Sequence, residues 1–171
     1  LMVDKIDHEF LYVSSLATGV GSNDIGLDRG QLGSERLVKF IKRGNKLLLV
    51  QPNLYYRAET ENLSEKKSVD QAFAKSVLFG FEIIDKYEDS YKIDITPFLK
   101  FDRHGVAKTL KNKNQGSYSV DLSKSSIEMF NTKAFPRNVE FEALLTFSGN
   151  AKGNSVRSVV PDPSNITVIQ H

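Results

Sequence analysis

The sequence contains no cysteine, so this chain has no disulfide, no thiolate nucleophile and no cysteine-ligated metal. That absence leaves the compartment open. Long apolar runs are also missing: each spans only a few residues, against the roughly 20 a membrane helix needs, so no membrane insertion is expected. Charge of one sign is not in excess, because 23 Lys and Arg stand against 21 Asp and Glu for a net charge of +2. The signs alternate, and the densest basic run, Lys108 to Lys113, reads as a solvated loop or helix face, so no nucleic-acid partner is expected. There is no internal repeat and no low-complexity linker. The opening Leu1-Met-Val-Asp-Lys-Ile-Asp7 lacks the basic start and apolar middle of a signal peptide, although a piece of a longer secreted precursor would look the same.

What is present is the composition of an ordinary globular protein: 171 residues, 40% hydrophobic and 26% charged, enough for one domain with a real core, or one with a small extension. Phe10-Leu-Tyr-Val-Ser-Ser-Leu16 reads as a strand running into a glycine-rich loop. Arg36–Arg43 and Lys46–Gln51 flank Gly44-Asn45 and predict a tight hairpin, because both turn residues tolerate positive φ. Pro52-Asn53 breaks the second strand, and Leu54 to Ala58 is read as continuing it in a new direction. Glu59 to Lys67 is charged and predicts an exposed loop or fraying turn. Gln71 to Ile84 fits both helical and alternating spacing. Gly80 and the richness in Val, Ile and Phe favour a long strand, followed by a second hairpin into Tyr91–Ile95.

Thr96-Pro97 opens a short helix through Phe101. Asp121 is a candidate cap for another, through Ile127 and Phe130. Val139, Phe141, Ala143, Leu145 and Phe147 alternate with Glu140, Glu142, Leu144 and Thr146, the clearest strand pattern in the chain. Ser155–Val160 and Asn165–Ile169 are read as two more strands. The sum is mainly β: an antiparallel β-sandwich or large curved sheet with a few short helices, in a single β-rich domain over 1–171.

The stretch least like a core is 19–33, Gly-Val-Gly-Ser-Asn-Asp-Ile-Gly-Leu-Asp-Arg-Gly-Gln-Leu-Gly, which holds five of the eleven glycines. Such density implies a loop whose shape matters. It is no phosphate cradle of a known kind: Gly26 is followed by Leu27 and Asp28 rather than Lys and Ser or Thr. Gly19, Gly21 and Gly26 also miss the dinucleotide spacing. The aspartates lack the every-second-residue spacing of an EF-hand. The bland reading is an ordered loop whose Asp side chains cap turns and whose Arg29 pairs with one of them.

Other candidates are sparse. His8-Glu9-Phe10-Leu11-Tyr12 misses the zinc-protease pattern, which requires histidine where Tyr12 stands. Asp102-Arg103-His104-Gly105 places a carboxylate beside a histidine, but adjacent turn residues rarely point together, and an exposed turn is the simpler reading. Glu140 and Glu142 share one strand face and could mimic a glycosidase pair, although such a face is usually the solvated one. Tyr55, Tyr56 and Arg57 could form a stacking platform for glycan or peptide, against the plainer reading of a half-buried edge. A self-contained hydrolase using Asp24, Asp28 or His104 has the least support, since no convergent triad or metal set is visible.

Five stretches carry a family resemblance: Phe10-Leu-Tyr-Val-Ser-Ser-Leu16, the segment 21–33, Phe73-Ala-Lys-Ser-Val-Leu-Phe-Gly80, Asn138-Val-Glu-Phe-Glu-Ala143 and Val156-Arg-Ser-Val-Val-Pro-Asp-Pro163. They resemble a domain of unassigned function in large bacterial zinc-dependent metallopeptidases of Bacteroides-like organisms, where it precedes a metzincin-like catalytic domain. The resemblance spans nearly the whole chain. It implies that these residues are a fragment of a longer multidomain protein, periplasmic, cell-envelope or secreted. It implies further that zinc belongs to the C-terminal metallopeptidase domain of the same chain and that no cofactor or catalytic residue lies here. By analogy the domain would pack on the catalytic domain and shape substrate access. The contact loop would comprise Gly19, Gly21, Asn23, Asp24, Gly26, Asp28, Arg29, Gly30 and Gly33. A glycan- or peptide-binding module is the alternative.

Overall fold

The computed structural model describes residues 1–56 and 58–171. It is mainly β, with four short α-helices among the described residues, as the sequence implies. The chain divides into two compact units, Leu1–Tyr12 with Glu35–Ile95 and Val13–Ser34 with Thr96–His171.

The first unit is built on a six-stranded antiparallel sheet. Its strands are β1 (Met2–Val3), β2 (Glu9–Tyr12), β3 (Arg36–Arg43), β4 (Lys46–Gln51), β5 (Ser76–Tyr87) and β6 (Ser90–Ile93), in the order β1-β6-β5-β4-β3-β2. The expected hairpin is present with Arg43 opposite Lys46. Gly44 takes a positive φ of 56° there, whereas Asn45 does not. The second hairpin pairs Tyr87 with Ser90. Period-two alternation brings Phe10, Phe40, Phe79 and Phe81 to one face, where neighbouring rings meet at 5.5, 6.0 and 4.9 Å between centroids. Such cross-strand aromatic pairs stabilise a sheet beyond their burial.

Two expectations fail in this unit. The stretch read as an exposed loop and the start of the long strand hold helix α1 (Leu63–Ala72), so the strand begins only at Ser76. The helix buries no residue and has no apolar stripe; the Asn62 side chain starts it by accepting from the amides of Ser64 and Glu65. That cap satisfies two orphan donors of the first turn. No strand continues over 54–56, and Arg57 lies outside the described residues.

The second unit packs loop 13–34 and three helices, α2 (Thr96–Leu99), α3 (Val106–Asn112) and α4 (Asn154–Val159), against a second antiparallel sheet. The sheet runs β12 (Asn165–Gln170), β11 (Ala143–Ala151), β7 (Gly116–Val120), with β8 (Ser126–Ile127) also on β11. A small hairpin, β9 (Lys133–Ala134) and β10 (Val139–Glu140), stands apart from that ladder. The inward-facing Ala143, Leu145 and Phe147 of β11 are fully buried with Leu110, Val156 and Val168.

Four further expectations fail in this unit. Ser155–Val160, read as a strand, lies mostly in α4. The Gln115 carbonyl oxygen of the side chain accepts from the Val156 amide at 3.0 Å and its main-chain oxygen from the amides of Lys152 and Gly153, so a residue distant in sequence outweighs the Val-rich β propensity. The alternating run 139–147 is interrupted, because Val139 and Glu140 pair with β9 and the ladder to β12 resumes at Ala143. Asp121 does cap, accepting from Ser123, but only a single 3-10 turn over Leu122–Lys124. The strand expected over 10–16 stops at Tyr12; Ser15 and Leu16 make only isolated bridges, to Leu32 and Gln170.

Candidate functional site

The glycine-rich loop folds on itself. Val20 donates to the Leu27 carbonyl at 2.9 Å, Gly30 to Leu16 at 2.7 Å and Gly33 to Ser14 at 2.7 Å. A Cβ on Gly19 would sit 2.7 Å from the Leu27 main-chain oxygen, so only glycine admits that approach, while one on Gly33 would sit 2.6 Å from Ser14 Oγ and force that side chain to move. Gly21, Gly26 and Gly30 take positive φ. The loop sends Val20, Ile25 and Leu27 into the core, although its composition looked least like one. Asn23, Asp24, Asp28 and Arg29 are left exposed. Arg29 makes no ion pair with either aspartate, and neither carboxylate caps a turn, among the described residues. Main-chain hydrogen bonds and glycine geometry shape the loop instead, since an exposed ion pair gains little over solvated charges.

His104 and Asp102 do not form a catalytic couple. Asp102 Oδ1 accepts from the amides of Gly105 and Val106 at 2.9 and 2.8 Å, and Oδ2 from Ala107 at 2.9 Å, which commits the carboxylate to the N-terminus of α3. The Gln170 side-chain oxygen accepts from the main-chain amides of Arg103 and His104. His104 Nδ1 is buried without a hydrogen-bond partner among the described residues, and Nε2 lies 3.4 Å from Gln31 Oε1. Burial holds the His104 pKa below its ordinary value, against the opposing pull of Asp102.

The sign of the resulting pH dependence follows. The unfolded chain binds a proton at His104 near its ordinary value of 6.5, where the folded chain resists it. The corresponding stability is complete above that pH and is lost as pH falls below it. Urea midpoints should therefore decline from pH 7 toward pH 5, and His104→Gln should flatten that decline. Parallel wild-type and variant profiles would show that His104 titrates freely in the fold.

Glu140 and Glu142 part company. Glu140 is exposed, while Glu142 is buried, with Oε1 accepting from Asn131 Nδ2 at 2.6 Å and Oε2 lying 2.7 Å from His171 Nε2. Burial raises the Glu142 pKa, but the bonds to Asn131 and His171 outweigh it and the net direction is down. Asp121 is likewise held well below the carboxylate range, first by the Ser123 hydroxyl and then by Lys124 and Ser148. Lys124 Nζ contacts Asp121, Ser148 and Asn165 at 3.1, 3.3 and 2.8 Å, so its charge is matched within the fold. The Glu142–His171 contact was not legible from spacing, since it joins residues 29 positions apart. Among the described residues, no three His, Cys, Asp or Glu side chains group so as to hold a metal.

Of the aromatic platform, Tyr55 is almost fully exposed, at 93%. The Tyr56 ring stacks on Phe73, with centroids 3.9 Å apart and planes within 4°. Asn53 Oδ1 accepts from both tyrosine amides. Arg57 lies outside the described residues. Sequence reasoning missed the exposed apolar side chains in the segment that holds the β9–β10 hairpin, where Met129, Phe130, Phe135 and Val139 are 72%, 89%, 47% and 46% exposed. The adjacent Met129-Phe130 was the available signal.

Residues 30–171 match a domain family described as a domain of unknown function, DUF5117. The chain belongs to the DUF5117 family. The matched region holds β3 through β12, so this DUF5117 domain is recognised by most of both units, whereas Gly19, Gly21 and Gly26 precede the match. No curated protein and no solved structure gives a significant match to the DUF5117 chain. Among the described residues of this DUF5117 domain, no helix is long and apolar enough to cross a membrane.

Proposed function

We propose that this DUF5117 domain is a non-catalytic accessory domain of a bacterial cell-envelope or secreted zinc-dependent metallopeptidase-like protein. It packs on the C-terminal catalytic domain of the same chain and shapes substrate access. The parentage rests on the five resembling stretches. The observation that carries the packing role is the exposure of four apolar side chains within one short segment, Met129, Phe130, Phe135 and Val139, because apolar side chains concentrated on a surface segment mark contact sites. Zinc would be held by the catalytic domain. The most tempting carboxylates here, Asp102 and Glu142, are already committed to a helix terminus and to Asn131 and His171.

The glycine-rich loop offers a polar contact through Asn23, Asp24, Asp28 and Arg29. Valine at Gly21 or Gly26 would strain the backbone at φ +99° and +73°, so charge reversal of Asp24 and Arg29 is the cleaner probe of that surface. In the full-length protein, Met129→Asp with Phe130→Asp should lower peptidase activity at least tenfold and expose the interdomain linker to limited proteolysis. Unchanged activity together with unchanged linker protection would reject the packing role. The second reading, a glycan- or peptide-binding module, draws on the exposed Tyr55 beside the Tyr56–Phe73 stack. It requires that Tyr55→Ala weaken binding in a glycan or peptide titration.

A further inference from the structure

β12 is the edge of its sheet, and only part of that edge is covered. Near its C-terminus, the Ala17 amide donates to the Ile169 carbonyl at 2.8 Å, the Ile169 amide donates to Thr18 Oγ1 at 2.8 Å, and Ser15 and His171 exchange two main-chain bonds. At Gly19 the covering segment turns away into its own loop. Two residues before Ile169 stands Thr167, whose main chain points in the same outward direction, because directions alternate along a strand. The opposing residue confirms it: Thr146 pairs in register with Thr167, yet its amide goes to Ser125 Oγ and its carbonyl to the Asp121 amide, away from β12. The Thr167 N–H and C=O therefore make no main-chain bond among the described residues.

They open onto a groove of about 400 Å³. Val20, Val159, Val160 and Ile166 give it apolar walls, and Asp162 stands at its rim. Bonds from Ser164 and Asn165 keep the Asp162 carboxylate ionised.

We propose that the open edge of β12 at Thr167 binds an extended peptide segment as an added strand, with a small apolar side chain in the groove and a basic residue beside Asp162. An unpaired donor and acceptor on one strand edge are the template for β-augmentation, in which main-chain bonds give affinity and side-chain pockets give selectivity. The apolar walls select the inward side chain, and the Asp162 charge selects its neighbour. This goes beyond the accessory-domain reading and does not depend on it, since peptide binding is read without peptidase activity.

The test uses the full-length protein and two fluorescein-labelled peptides of sequence Lys-Val-Thr-Val-Lys, one unmodified and one N-methylated at the central threonine. Fluorescence anisotropy should show at least tenfold weaker binding of the methylated peptide, and the unmodified one should slow hydrogen exchange at the Thr167 amide. Thr167→Pro removes that amide while leaving the ladder to β11 intact, and should weaken binding tenfold, as should Val159→Glu in the groove wall. Equal affinity for the two peptides, or unchanged exchange at Thr167, would overturn the proposal. So would concentration-dependent dimerisation abolished by Thr167→Pro with no peptide binding, which would assign the edge to a second copy of the chain.

Discussion

Gly149→Ala is expected to destabilise the second unit by about 3 kcal/mol or more, the upper range for overpacking a close-packed site. A Cβ at this position would overlap the Ser117 carbonyl oxygen and fall 2.8 Å from Tyr118 Cα. Those are main-chain atoms of β7, paired with β11 from Gly116 to Val120, so no side chain can swing aside to make room. The strand pair must separate or shift register. Gly26→Ala is the matched control: nothing lies within 4 Å of its added Cβ, and only a φ of +73° opposes it, so its cost should be about 1 kcal/mol. Urea unfolding, with hydrogen exchange at the β11 amides to localise the effect, distinguishes the two. Equal costs would mean that β7 and β11 are not held as closely as described.

Phe147→Ala should cost about 3–5 kcal/mol, the usual range for emptying a buried aromatic site. Phe147 is fully buried and sits between Ile166 of β12 and Val120 of β7 in register. Neighbours from a sheet clamped on both sides cannot collapse into the void. Because a folded domain is stable by only about 5–15 kcal/mol, this single change approaches the whole margin. Phe147→Leu, which keeps much of the volume, should retain most of the stability. A midpoint for the alanine variant close to that of wild type would show that the second core repacks freely.

What was legible in the sequence is what local chemistry decides. The two hairpins were readable because turn residues and alternation act within a few positions of each other, and Thr96-Pro97 announced α2 for the same reason. α1 was missed because it shows no apolar periodicity; only the capping pattern Asn62-Leu-Ser-Glu65 betrayed it. α4 was misread as a strand because its start depends on Gln115, a residue 41 positions away from Val156. The Glu142–His171 contact, spanning 29 positions, was illegible for the same reason. Alternation placed Glu142 with Glu140 on the solvated face, whereas Glu142 is buried. The Thr167 edge depends on which way a neighbouring strand's hydrogen bonds run, and residue types do not encode that.

The two units are interleaved along the chain, and this bears on the order in which the protein is made. Segment 13–34 is made before 35–95, which supply most of the first sheet, yet its partner Ile169 lies 151 residues beyond Thr18. Bringing such distant ends together carries an entropic cost before any contact rewards it, which slows folding. During synthesis the core around Val20, Ile25 and Leu27 therefore stays incomplete until β12 has been made.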